Sequence, residues 1–214
     1  MNGFQLLEKL RSCLSTEDYE RFITDIDRLA AHKDWAIRRE LACLLSAFLH
    51  PHAEKSLLSL LEDTNYLVQV EALDSLSSFR SDAVKQAVLS KINSKYALVR
   101  GYAYRCISDI YIDNDPMSAK NTLQKIAEKN TWARAMLLIS LAQLGDKDAC
   151  LLLMKMYPRC HYRVRCAILN GLADIYSCLS LSAQADVGAF SQKIAPREIA
   201  VQDALQRLKL EIGN

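Results

Sequence analysis

Apolar side chains recur along this chain on a fixed beat. In DWAIRRELACLLSAF (34–48), Ile37, Leu41, Leu45 and Phe48 fall at i, i+4, i+8 and i+11. On a helix of about 3.6 residues per turn these positions form one stripe, whereas on a strand they would not share a face. The stripe returns after 31 residues at Val68, Ala72, Leu76 and Phe79, and after 31 more at Val99, Ala103, Ile107 and Ile110. A step of 34 reaches Ala133, Leu137, Leu141 and Leu144, and a step of 31 reaches Val164, Ile168, Leu172 and Ile175. A degenerate sixth copy, 33 further on, holds Val201, Leu205 and Leu208.

Each copy therefore contains a helix, termed B, and the stretch before it has helical spacing as well. These A helices are expected at 17–31, 52–63, 82–92, 116–128 and 147–157. Pro51 and Pro116 stand where a missing N–H costs least, and Ser81, Asp115 and Asp146 can accept hydrogen bonds from first-turn amides. Asn65, Asn93, Ser94 and Pro158 punctuate the A-to-B turns. One A–B pair cannot bury its own stripe, so the pairs must stack. The pattern predicts an all-α fold, an α-solenoid of stacked antiparallel helix pairs, in a single domain over 1–214. Within it, 3–14 is an N-terminal capping helix, 16–178 holds five helix-pair repeats, and 179–214 is an irregular loop followed by a charged capping helix at 197–211. The low-charge stretch 177–195 breaks the period and reads as a loop, with a short A helix within it as the alternative.

Composition narrows this further. Gly and Pro number only 6 and 4, too few for the turns of an all-β sandwich. Lys plus Arg exceed Asp plus Glu by 27 to 25, a balance that does not advertise nucleic acid or an anionic membrane. The seven cysteines, mostly among Ala and Leu in helical patterns, read as small buried hydrophobes in a reducing compartment, so a cytoplasmic location is expected. The N-terminal residues carry Glu8, Lys9 and Arg11 among apolar ones and do not form a signal peptide, and no uncharged run is long enough to span a bilayer.

At the B-helix starts stand Ile37-Arg38, Val68-Gln69, Val99-Arg100, Ala133-Arg134 and Val164-Arg165, with an aliphatic or small residue four positions after the first. In LLEDTNYLVQVEAL an acid, Asp63, precedes Val68 and Ala72 at matching spacing. This pattern resembles the HEAT-repeat family, over about residues 16–178, and the short period is similar to the compact HEAT-like repeats of phycobilin lyases. The resemblance implies Asp–Arg pairs between neighbouring repeats, with the aliphatic-Arg column buried at repeat junctions in a structural role. It also implies that B helices line a concave surface where partners lie. Adaptors, lyases, inhibitors and DNA-repair proteins all share this fold, so fold alone does not choose among them.

Stepping by three and seven residues off the apolar stripe selects the B-helix face. It carries Glu40, Cys43 and Ala47; Glu71, Asp74 and Ser78; Tyr102, Arg105 and Asp109; Met136, Ile139 and Gln143; Ala167, Asn170 and Asp174. Five acids stand against the single base Arg105, with Tyr102, Met136 and Ile139 as an apolar centre. A protein partner with a basic surface would suit such a face, making the chain an interaction scaffold, adaptor or inhibitor. A rival patch, Lys155, Arg159, His161 and Arg163 beside Tyr157 and Tyr162, interleaves cations and aromatics as phosphate backbones favour. Trp35-Ala36-Ile37-Arg38-Arg39 is similar to a segment of HEAT-like glycosylases that act on alkylated DNA, so nucleic-acid binding is the alternative. A chromophore-handling enzyme like the phycobilin lyases is a third. His50-Pro51-His52 and Cys160-His161 lack the second half-site that zinc requires. No phosphate loop, Ser elbow or His-Glu-x-x-His occurs, so neither an enzymatic activity nor a cofactor or metal is expected.

Overall fold

In the computed structural model, residues 2–13 and 19–213 are described, and among them the chain is helical with no strand. The helices are α1 (Gly3–Cys13), α2 (Ile23–Ala30), α3 (Trp35–Leu45), α4 (Pro51–Leu60), α5 (Tyr66–Leu76), α6 (Asp82–Ser90) and α7 (Ala97–Tyr111). They continue as α8 (Pro116–Gln124), α9 (Thr131–Gln143), α10 (Lys147–Met156), α11 (Tyr162–Ile175), α12 (Leu181–Gln192) and α13 (Ile199–Gly213). From α2 onward the even-numbered helices are A and the odd-numbered B. The fold is an α-solenoid of helix pairs, in two compact units, Met1–Cys106 and Ile107–Asn214.

Local chemistry sets the helix starts. Asp34 Oδ1 accepts the Ala36 N–H at 3.0 Å, Asn65 Oδ1 that of Leu67 at 2.9 Å, and Asn130 Oδ1 those of Trp132 and Ala133. At A helices, Ser81, Asp115 and Asp146 cap as expected, and Pro51 and Pro116 take the first helical position. Such caps satisfy amides that have no partner within the helix. Gly145, with φ at +79°, ends α9 in the left-handed conformation that side chains disfavour, and the next residue, Asp146, starts α10.

Two differences from expectation stand out. The predicted A helix at 17–31 begins as a short 3-10 turn, Tyr19–Phe22, before α2, and its first residues, 17 and 18, lie outside the described residues, as does residue 14 of the capping helix. More substantially, 181–192 is a helix and not a loop. Ser180 caps it by accepting from the Ala183 N–H, and Ala183, Val187 and Ser191 form its buried stripe. It is a sixth A helix, paired with α13.

Within the first unit α3 packs on α5, α2 on α3 and α4, and α4 on α5. The stripe residues Leu41, Leu45, Val68, Ala72 and Leu76 are fully buried. Full burial of an aliphatic side chain stabilises by roughly 1.5–3 kcal/mol, so this seam dominates the packing. Ser75, also buried, donates from Oγ to the Ala42 carbonyl across the α3–α5 contact. In the second unit α9, α11 and α13 form the B row, while α10 packs on α9 and α12. There Gly171 lies under Ile139, whose Cδ1 fills the space a Cβ would need.

Candidate functional site

The aliphatic-Arg column anchors the A-to-B turns. Arg38 Nη1 donates to the His32 carbonyl at 2.6 Å, Gln69 Nε2 to that of Asp63 at 2.6 Å, and Arg100 Nη1 to that of Ser94 at 2.8 Å, each reaching back six residues. Arg38 also grips Asp63 with two parallel bonds, of 2.5 and 2.8 Å, the junction pair that the repeat resemblance implies. Burial pushes the Asp63 carboxyl up, but the bonds from Arg38, the Asn65 N–H and the Arg38 charge outweigh it and hold the group below the ordinary value. Arg165 pairs with Glu198 at 2.6 Å. Arg134, on α9, departs from the column: it is exposed and makes no hydrogen bond or ion pair with another described residue.

On the B-helix face of the first unit, Glu40, Glu71, Tyr102 and Arg105 are half-buried, and Cys43, Ala47, Asp74 and Ser78 exposed. The acids are not bare. Arg11 of α1 reaches Glu40 at 3.2 Å, and Arg39 reaches Glu40 at 3.6 Å and Glu71 at 3.1 Å, joining α1, α3 and α5 in a lateral chain. Neither Arg11 nor Arg39 was counted on this face from spacing; long side chains lean across from the flanks. The acids still act on their neighbours. Burial, then Asp74 and Glu71, raise the Tyr102 hydroxyl, and burial followed chiefly by Glu71 raises the Cys43 thiol.

In the second unit the face looks different. Ile139 is fully buried and Met136 only 9% exposed, so the expected apolar centre there is not on the surface. The reason is Gly171, whose bare backbone admits Ile139 between α9 and α11. Gln143, half-buried, donates to Asp109 Oδ1 at 2.8 Å and accepts from Ser108 at 3.0 Å. Ala167 and Asn170 are half-buried, and Asp174 is held by Arg207 of α13.

The basic patch sits around the α10–α11 turn. Lys155, Arg159, His161 and Arg163 are exposed, with His161 capping α11 and Arg163 donating to the Tyr162 hydroxyl. Lys155 and Arg159 line a groove of about 410 Å³ between α9 and α10, completed by Lys129, Thr131, Arg134, Leu138, Leu152, Met156 and Cys160. His161 and Arg163 lie outside this lining. Four cations and no acid line the groove. Lys129 and Arg134 were missed as its members because Arg134 belongs to the column read as structural. The available signal was the displaced step of 34 residues and Ala133 in place of a β-branched residue.

His50 Nδ1 accepts the His52 N–H at 3.1 Å, and the His50 and His52 Nε2 atoms face Glu20 and Asp27, each at 3.0 Å. Tyr19 stacks on His50 with ring centroids 4.2 Å apart. Among the described residues no His, Cys, Asp and Glu group is placed to hold a metal ion. Burial pushes the Cys150 thiol to about 11 and raises Cys160, which leaves both as protonated packing groups at neutral pH. No described helix is long and apolar enough to cross a membrane.

No curated protein matches this chain. A crystal structure of an engineered protein is similar at 20% identity with a TM-score of 0.42, over 89% of this chain and 96% of that one. The family model for HEAT repeats matches residues 26–108. Those residues, which include the Arg38–Asp63 junction, are thus similar to HEAT repeats.

Proposed function

We propose that this chain is a HEAT-type scaffold that holds a protein partner on the B-helix face of its first unit. The observation that carries the reading is the convergence of Glu40, Glu71 and Asp74 around Cys43 and Tyr102, on a face ordered by the Arg11–Glu40–Arg39–Glu71 chain. Side chains already tied in place lose little entropy when a partner docks, and tyrosine is enriched among interface anchors. The partner's matching surface is basic, and the role is that of an adaptor or inhibitor without chemistry of its own, in the cytoplasm. The test is affinity capture with wild-type chain and with a Glu71→Lys, Asp74→Lys variant. Proteins with basic surfaces are expected to be lost with the variant and retained by a Lys155→Glu, Arg159→Glu control. Equal retention by all three chains overturns the reading.

A further inference from the structure

The groove between α9 and α10 has a neighbour. A second hollow, of about 390 Å³, opens between α8 and α9, and the two share Lys129, Arg134 and Leu138. Its walls are mostly aliphatic: Leu123, Ile126, Ala127, Leu137 and Leu141. The connection from α8 to α9, residues 125–130, contains no helical turn to fill this space. A cationic hollow and an apolar one thus lie side by side on a single surface of the second unit, with Arg134 at their common wall.

The four cations differ from others in the same unit. Lys120 faces Asp146, Arg165 pairs with Glu198 and Arg207 with Asp174, whereas Lys129, Arg134, Lys155 and Arg159 have no ion-pair partner among the described residues. The nearby acid Glu128, on the wall of the second hollow, turns Oε1 back to accept the Asn130 N–H at 2.8 Å. Four like charges around one groove create a positive potential that a bound anion relieves, and arginine forks suit carboxylates.

We infer that this double hollow binds an acidic peptide segment of a protein partner. Clustered carboxylates lie among Lys129, Arg134, Lys155 and Arg159, and a neighbouring aliphatic side chain is seated against Leu137, Leu138 and Leu141. A peptide is favoured over nucleic acid by the lining itself: neither hollow has an aromatic residue on which a base could stack, and half the surface is aliphatic. The inference shares with the reading above only the idea of a protein ligand; the surface and the sign of its charge are different.

The experiment is fluorescence anisotropy on the full chain with a labelled twelve-residue peptide in which three glutamates adjoin two leucines. Saturable binding is expected. Replacing the glutamates by glutamine, or pairing Arg134→Gln with Lys155→Gln in the protein, weakens it about tenfold, while replacing the leucines by serine weakens it several-fold. Both substituted protein residues are exposed, so thermal unfolding of the double variant stays unchanged and its loss of binding is local. Absence of saturable binding, indifference to the double variant or to the leucines, or tighter binding of a labelled twelve-nucleotide single-stranded DNA overturns the inference. The Glu71→Lys, Asp74→Lys variant binds the peptide as wild type does, so the two surfaces stand or fall separately.

Discussion

Arg38 and Arg134 occupy the same column of the repeat and do opposite things. In the first unit Arg38 is spent inside the fold, on the His32 carbonyl and the Asp63 carboxylate, with side-chain exposures of only 14% and 7% for the Arg–Asp pair. In the second unit Arg134 is exposed at the wall between two hollows, among three other cations. A repeat position is therefore not a role: what decides is whether the following turn supplies an acid and whether the preceding turn presents a carbonyl within reach. The same contrast holds for whole surfaces. On the first unit's B face each of Arg11 and Arg39 meets an acid from a neighbouring helix, whereas around the groove cations gather without one.

The comparison can be broken by mutation. Arg38→Ala leaves the Asp63 carboxylate largely buried without its partner and is expected to cost on the order of 3 kcal/mol in chemical denaturation. Arg134→Ala should stay within about 0.5 kcal/mol of wild type, since it removes no buried contact. If the two variants melt alike, the column has one role after all.

Acid sharpens the same point. The folded-state pKa of Asp63 is depressed, so its contribution to stability is present above the unfolded value of about 4 and is lost as pH falls through the lower folded value. The gap in stability between wild type and Asp63→Asn should therefore be full at neutral pH and close only in strong acid. A gap that persists unchanged to the acid limit means that Asp63 acts through shape and not through charge.

A small effect, between those of Arg38→Ala and Arg134→Ala, is expected of Arg39→Ala. Its side chain is 43% exposed, and surface pairs of this kind contribute well under about 1 kcal/mol, diminishing with salt. A loss as large as that of Arg38→Ala would show that the lateral chain on the B face supports the fold and does not merely order the surface.

The repeat was legible because burial writes itself into spacing: Leu41, Ala72, Ala103, Ile168 and their companions are large or small but always on the stripe. The helix at 181–192 was legible only as the alternative to a loop. Its buried stripe is Ala183, Val187 and Ser191, while its bulkiest aliphatic residue near the start, Leu181, is 85% exposed, so a reading that weights size looks at the wrong side. The groove was half legible. Lys155 and Arg159 stand out as a local cluster, but Lys129 and Arg134 come from the far side of α9 in sequence and meet them only through packing of α10 on α9. Met136 and Ile139 were misplaced on the open face because periodicity reports the angle of a side chain about its helix, and says nothing of a gap in the neighbour that can take it in.

That gap makes the copies a mosaic and not a set of interchangeable bricks. Where the fourth B helix has Ile139, the earlier ones have Cys43, Asp74 and Arg105, and where the fifth has Gly171, earlier ones have Leu44, Ser75 and Cys106. Transplanting the fourth copy to another place in the array would bring a bulky side chain with no glycine to receive it. Lineages that gain or lose repeats by duplication would have to carry this neighbouring pair together, so the α9–α11 seam is a place where the array resists being shuffled.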